Sequence, residues 1–189
     1  MVSAVTEQRP RSTFVFDDGP LSHFTEAGWL GLLELFVADG EAWLPDTVQH
    51  ELGAGVDAHP HLRQVLDATW LKVTPVGPAE TVAYGFYFGR LVETPPTNVG
   101  ECGVLALAEF HEAIAVIDDG DARALAKERG VQMTSTISIL CDLVTNKHLG
   151  FAAAERVADN LLRTEYRLPF AAGGFRQFVS ENGLIDPYE

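Results

Sequence analysis

The chain has 189 residues, room for one domain with a real hydrophobic core but cramped for two. Hydrophobic residues at 47% against 21% charged exclude an intrinsically disordered chain. With 27 acids and 13 bases the net charge is −14, which excludes a broad basic footprint for nucleic acid and leaves only locally placed arginines for such a role.

Residues 1–12 read as a flexible lead. The start, MVSAVTEQRPRST, has no apolar stretch of the kind a secretory signal needs. TFVF at 13–16 reads as a short buried strand ending in Asp17-Asp18-Gly19-Pro20. Helical spacing follows over 24–37, with Ser22 as expected N-cap and Gly28 and Gly31 as weak points. A strand is expected at 42–44, then a helix capped by Asp46 and stopped by Gly53 and Gly55. A third helix is expected over 61–68. LKVTPV at 71–76 alternates like a strand, and its proline places it at a sheet edge.

An aromatic-rich helix is expected over 79–91, a loop over 92–99 and a strong helix over 100–110. AIAVI at 113–117 reads as a buried strand running into Asp118-Asp119-Gly120-Asp121. A helix over 121–129 ends at Gly130, a strand follows at 131–133, and a helix capped by Thr134 or Ser135 covers 134–149. Two more helices are expected over 152–163 and 170–180. Strands alternating with helices predict an α/β fold: three layers, α/β/α, around a mainly parallel sheet, with extra C-terminal helices. The expected division is a lead at 1–12, one domain at 13–150 and a helical extension at 151–189 packed on it. No apolar run is long enough for a membrane span. Only Cys102 and Cys141 occur, so no disulfide framework is expected and a cytoplasmic location is.

Ligands collect at the carboxyl ends of parallel strands, where both aspartate clusters fall. Asp and Gly also favour turns and caps, so one cluster alone would say little. Two clusters say more, and Glu51 and Glu101 stand in helices nearby in the expected topology. Four carboxylates drawn together repel one another. A hard divalent ion with a preference for oxygen ligands, Mg2+ or Mn2+, relieves that repulsion and can act on a phosphodiester. Cys/His spacing for zinc is lacking.

The ordered set FVFDDGPL, LPDTVQHEL, GECGVLALA, AVIDDGDARALAKERGV and TSTISIL resembles the PIN domains, and among them the VapC-like toxin ribonucleases. The resemblance covers about residues 13–150. It implies a metal-dependent nuclease that cuts RNA, with Asp17, Glu51, Glu101 and Asp119 as catalytic acids. It implies metal ligation by Asp17, Glu101 and Asp119, with Asp118 a close competitor and Asp121 a holder of water or a helix cap. An RNA substrate, an antitoxin protein and a homodimer are the partners it carries. Thr134 to Ser138 matches a small-polar turn whose backbone amides meet phosphate, with Thr134 and Ser135 as the expected substrate-binding residues. The chain departs from the compact toxins in its length, its acidity and its doubled aspartates.

Arg123 is expected either at substrate phosphate or in a salt bridge with Asp118 or Asp121, the two being evenly balanced. Asn98 is read as a loop-ending residue. The run Tyr84-Gly85-Phe86-Tyr87-Phe88 is read as core or interface before base stacking. A non-catalytic PIN-like scaffold binding a protein or RNA is the alternative function. A receiver domain lacks a convincing lysine, and a haloacid-dehalogenase-type phosphatase would need an acid where Gly19 stands.

Overall fold

The computed structural model describes residues 12–92, 97–164 and 166–185. The expected lead, apart from Ser12, lies outside the described residues, as does the middle of the 92–99 loop. Five strands form one sheet: β1 (Thr13–Phe16), β2 (Glu41–Pro45), β3 (Leu71–Thr74), β4 (Ile114–Val116) and β5 (Met133–Thr134). Their order is β3-β2-β1-β4-β5, and every pairing is parallel. The α/β/α reading therefore holds, with β3 at the edge, where its trailing Pro75 breaks no central ladder.

This order creates a reversal at β1. One connection leads from β1 towards β2, and the chain later returns to β4 on the other side. The crevice between the carboxyl ends of β1 and β4 is the place where such sheets bind ligands. Val15 pairs with Ala115 and Phe16 with Val116. The Asp17 N–H continues the ladder by donating to the Val116 carbonyl at 3.1 Å. Asp17 is thus fixed against the end of β4 by backbone bonding, whatever its side chain does.

The helices are α1 (Asp18–Glu26), α2 (Leu30–Phe36), α3 (Asp46–Gly55), α4 (Arg63–Leu66), α5 (Thr81–Leu91), α6 (Val99–His111), α7 (Gly120–Arg129), α8 (Thr136–Thr145), α9 (Phe151–Arg163) and α10 (Phe175–Glu181). A single turn of 3-10 helix, Pro60–Leu62, precedes α4. Helix α6 is apolar around nearly its whole circumference, which only a helix buried on all sides can be. It lies on β1, β2 and β4, with α3, α5 and α7 around it, and Cys102 to Ala108 are all buried.

Several boundaries differ from the sequence expectation. The 24–37 helix is two helices, because Gly28 takes φ +78° and turns the chain between them. Ser22 lies inside α1, which starts at Asp18 with Asp17 in the capping position. Asp46 is the first residue of α3 rather than its cap, and its Oδ1 accepts the Thr47 and Val76 N–H groups at 3.0 and 3.1 Å. Helix α3 ends at Gly55, as expected, while Gly53 sits within it. Helix α8 is capped by Ser135, whose hydroxyl accepts the Ser138 N–H, and it stops at Thr145. Helix α10 starts at Phe175, because Gly173 (φ +78°) leads the chain into it through a left-handed turn.

The described residues after 150 pack on the rest of the domain. Ala154, Val157, Ala158 and Leu161 of α9, and Phe175 and Val179 of α10, are buried in the common core. No helix among the described residues is long and apolar enough to cross a membrane.

Candidate active site

The acids gather at the β1–β4 crevice from four elements. Asp17 follows β1 directly. Its residue is 4% exposed, and its Oδ1 is buried without a hydrogen-bond partner. It makes no side-chain cap to the α1 amides, the usual use of an aspartate at that position. A buried polar atom left without a partner costs about 1–3 kcal/mol, and more if it carries charge. Burial, then the charges of Asp18, Glu101 and Glu51, hold the Asp17 carboxyl well above its ordinary range.

Glu101 enters from the first turn of α6. Burial, and then the neighbouring charges of Asp18, Glu51 and Asp119, push its carboxyl up to about 7. Glu51 comes from α3. Its Oε1 accepts the Gly100 N–H at 3.0 Å, one residue before Glu101. Burial raises the Glu51 carboxyl and Asp18 adds to this, while the Gly100 and Val99 amides and His50 act the other way. Asp18 is likewise raised, first by burial. The four sequence-expected acids therefore sense one another electrostatically, and Asp18 joins them.

The aspartates after β4 divide their work. Asp119 caps α7: its Oδ1 accepts the Asp121 and Ala122 N–H groups at 3.0 and 2.9 Å. Its charge still reaches Glu101. Asp118 accepts the Thr136 N–H at 3.1 Å and the hydroxyl of Tyr166. Asp121 is exposed in the first turn of α7, where an acid favours the helix dipole.

Arg123 forms no ion pair with Asp118 or Asp121 among the described bridges. Its Nη1 donates to the Ile117 carbonyl at 2.9 Å and approaches the Thr134 carbonyl at 3.4 Å, so it ties the ends of β4 and β5 together. The Thr134 carbonyl also receives the Ile117 N–H at 3.2 Å. In the turn from Thr134 to Ser138, the Thr136 and Ser138 amides are engaged by Asp118 and Ser135. Two of the amides expected to meet phosphate are thus occupied by protein acceptors. Asn98 takes φ 61° and its side-chain N–H donates to the Leu91 carbonyl at 3.2 Å, the loop-ending role expected of it.

Tyr166 had no sequence signal. It lies 48 positions beyond Asp118 in a stretch with no motif. Cys102, beside Glu101, is buried with its thiol pushed up to about 12, which removes it from nucleophilic chemistry. A cavity of about 680 Å3 lined by Asp46, Thr47, His50, Glu51 and Val99 lies beside Glu51.

The donor set suits a hard cation in chemistry: carboxylate oxygens only, with one buried oxygen left without a donor. In position it is looser. No three of the His, Cys, Asp and Glu side chains among the described residues are grouped closely enough to hold an ion as they stand.

A family model described as DUF3368, a PIN domain, matches residues 13–172. Among solved structures, the chain is similar to one titled as VapBC2 from Rickettsia felis bound to a DNA fragment from their promoter, at 14% identity and a TM-score of 0.50, over 65% of this chain and 98% of that one. At that identity the likeness concerns the fold. The search of curated proteins gives no match. The family match takes in all five strands, the four expected acids and helix α9, and with it the chain belongs to the PIN-domain family.

Proposed function

We propose that the chain is a metal-dependent endoribonuclease, Mg2+- or Mn2+-requiring and cytoplasmic, acting as the toxin of a toxin–antitoxin pair and held in check by a protein antitoxin, with a homodimer as its assembly. The observation that carries the catalytic part is Asp17: a buried carboxylate with an unpartnered oxygen, set among Glu51, Glu101 and Asp18. An arrangement that raises the protonation of its own acids is costly as a structural device and sensible as a cation receptor. The toxin and antitoxin parts rest on resemblance and fold, an associational warrant.

In this reading Asp17, Glu101 and Asp119 hold the ion, with Asp118 as a further donor. An ion held there would supply charge to offset the carboxylates and Lewis acidity towards a phosphoryl oxygen of the RNA. Glu51, oriented by the Gly100 amide, keeps its second oxygen available to accept a proton from an attacking water. Asp119 Oδ1 keeps its capping bonds, and Oδ2 would be the oxygen offered to the ion. Arg123, bonded to the Ile117 and Thr134 carbonyls, is read as securing the strand ends rather than binding phosphate.

The test is cleavage of RNA by the purified protein with Mg2+ or Mn2+. Loss of cleavage in Asp17→Asn and Glu101→Gln, with both variants folded, is the expected result. A clean preparation that cuts no RNA with either ion overturns the reading. The second reading, a PIN-like scaffold for a protein or RNA, draws on the acids not being grouped as a ready-made ligand cage. It is favoured if the folded protein binds neither ion.

A further inference from the structure

The C-terminal segment reaches back into the strand-end crevice through one side chain. Tyr166 is 9% exposed, and its hydroxyl meets two partners. It donates to Asp118 and lies 3.1 Å from the Thr136 hydroxyl, itself fully buried. The Thr136 N–H donates to the same Asp118 carboxylate at 3.1 Å. Asp118, Thr136 and Tyr166 therefore form a closed triangle joining the end of β4, the start of α8 and the segment after α9.

The ring of Tyr166 also walls the crevice. A methyl group built on Gly19 would meet Asp17 Oδ2 and Tyr166 Cε2, both at 3.9 Å, so the ring and the Asp17 carboxylate flank the same small space. The ring tilts against His23 of α1, with centroids 4.4 Å apart. His23 Nδ1 is in turn 2.8 Å from the Thr164 hydroxyl, fixing the chain just ahead of Tyr166. This tyrosine is bonded to Asp118, meets the Thr136 hydroxyl, and its ring borders the same small space as the Asp17 carboxylate.

We propose that Tyr166 is a positioning residue for the strand-end acids, acting through Asp118: its hydroxyl fixes the Asp118 carboxylate and the turn that carries Asp119, and its ring closes the wall beside Asp17. The inference rests on the nuclease reading for what the acids hold, and not for the triangle itself. Partners that orient ligand carboxylates commonly change metal affinity by about 10-fold or more when removed.

The experiment has a metal-free arm and a metal arm. Tyr166→Phe keeps the ring and deletes the hydroxyl. In EDTA, its Thr136 amide is expected to exchange hydrogen about 10-fold faster than in the wild type, the scale of a lost bond of roughly 1.4 kcal/mol. By calorimetry, Y166F is expected to bind Mn2+ about 10-fold more weakly. In an Asp118→Ala background the same change is expected to add almost nothing, because both variants break one interaction. A general structural role would lower affinity additively in the cycle. Unchanged Thr136 exchange in Y166F overturns the proposal, and this arm decides even if Asp118→Ala does not fold. Equal Mn2+ binding by Y166F and a wild type that does bind overturns the positioning role alone. A wild type that takes up no Mn2+ overturns the nuclease reading and the metal-positioning role with it.

Discussion

The Gly100 N–H donates to Glu51 Oε1 at 3.0 Å, and a side chain at position 100 would collide with the other oxygen of the same carboxylate. Glycine here serves contact, since α6 and α3 approach too closely for a Cβ. Gly103 repeats the arrangement one turn on, against the Thr47 hydroxyl. Gly100→Ala is therefore expected to push the Glu51 carboxylate out of the site while changing the stability of the fold little, since the closest atom is the end of a flexible side chain. In the nuclease reading, cleavage falls more than stability does, because Glu51 loses its orienting donor. Urea unfolding and RNA cleavage of the same preparation check this. A variant as stable and as active as the wild type would show that α3 can retreat freely.

The parts of the site legible in the sequence are those whose cause is local. Asp17 and Asp119 stand where a buried apolar run meets a turn, and both positions follow from strand and turn chemistry alone. The break at Gly28 was visible as a glycine, though only the structure shows its left-handed φ and the two helices it separates. Glu51 is different: its partner is 49 positions away, and only family resemblance pointed to it. The Tyr166–Asp118 bond spans 48 positions and carries no motif at all. Arg123 was weighed between phosphate and carboxylate, yet it binds main-chain carbonyls. Backbone acceptors exist at every residue, so no choice of residue type announces them.

The raised Glu101 carboxyl makes metal-free stability depend on pH. A carboxyl whose folded pKa exceeds its unfolded value binds its proton more tightly in the native state. Its favourable contribution is complete below the unfolded value of 4.5 and is lost as pH rises through about 7. Asp17, raised first by burial, acts in the same direction. His23 opposes them: burial lowers its pKa, so its contribution is present above 6.5 and is lost as pH falls. The carboxylate effect is therefore best read as a difference. In EDTA, Glu101→Gln is expected to match the wild type near pH 4.5 and to melt about 2–4 °C higher at pH 8, the response of a chain this size to roughly 1 kcal/mol. In the nuclease reading, Mn2+ at pH 8 raises the melting temperature of the wild type and not of the variant. Thermal unfolding at the two pH values, with and without the ion, measures both. A gap between the proteins that fails to widen with pH would mean that burial and the neighbouring charges do not raise the Glu101 carboxyl.

Arg123 offers a test of structure against substrate contact at one position. Its guanidinium reaches the Ile117 carbonyl at 2.9 Å and the Thr134 carbonyl at 3.4 Å, just where β4 and β5 turn into the acidic crevice. Charge-assisted bonds to carbonyls are worth about 1.5–3 kcal/mol; Ala at 123 removes the guanidinium from the Ile117 carbonyl, while the Thr134 carbonyl keeps the Ile117 N–H. Arg123→Ala is expected to lose about that much stability. Arg123→Lys is expected to recover part of it, because a single ammonium satisfies one carbonyl well and two poorly. If RNA cleavage is measured below the melting range of each variant, KM is expected to change little, since the side chain faces the protein. kcat is expected to fall with the order of the β4–α7 turn that carries Asp118 and Asp119. A large rise in KM with stability intact would instead place Arg123 on the phosphate backbone, and would require its guanidinium to leave the two strand ends on binding.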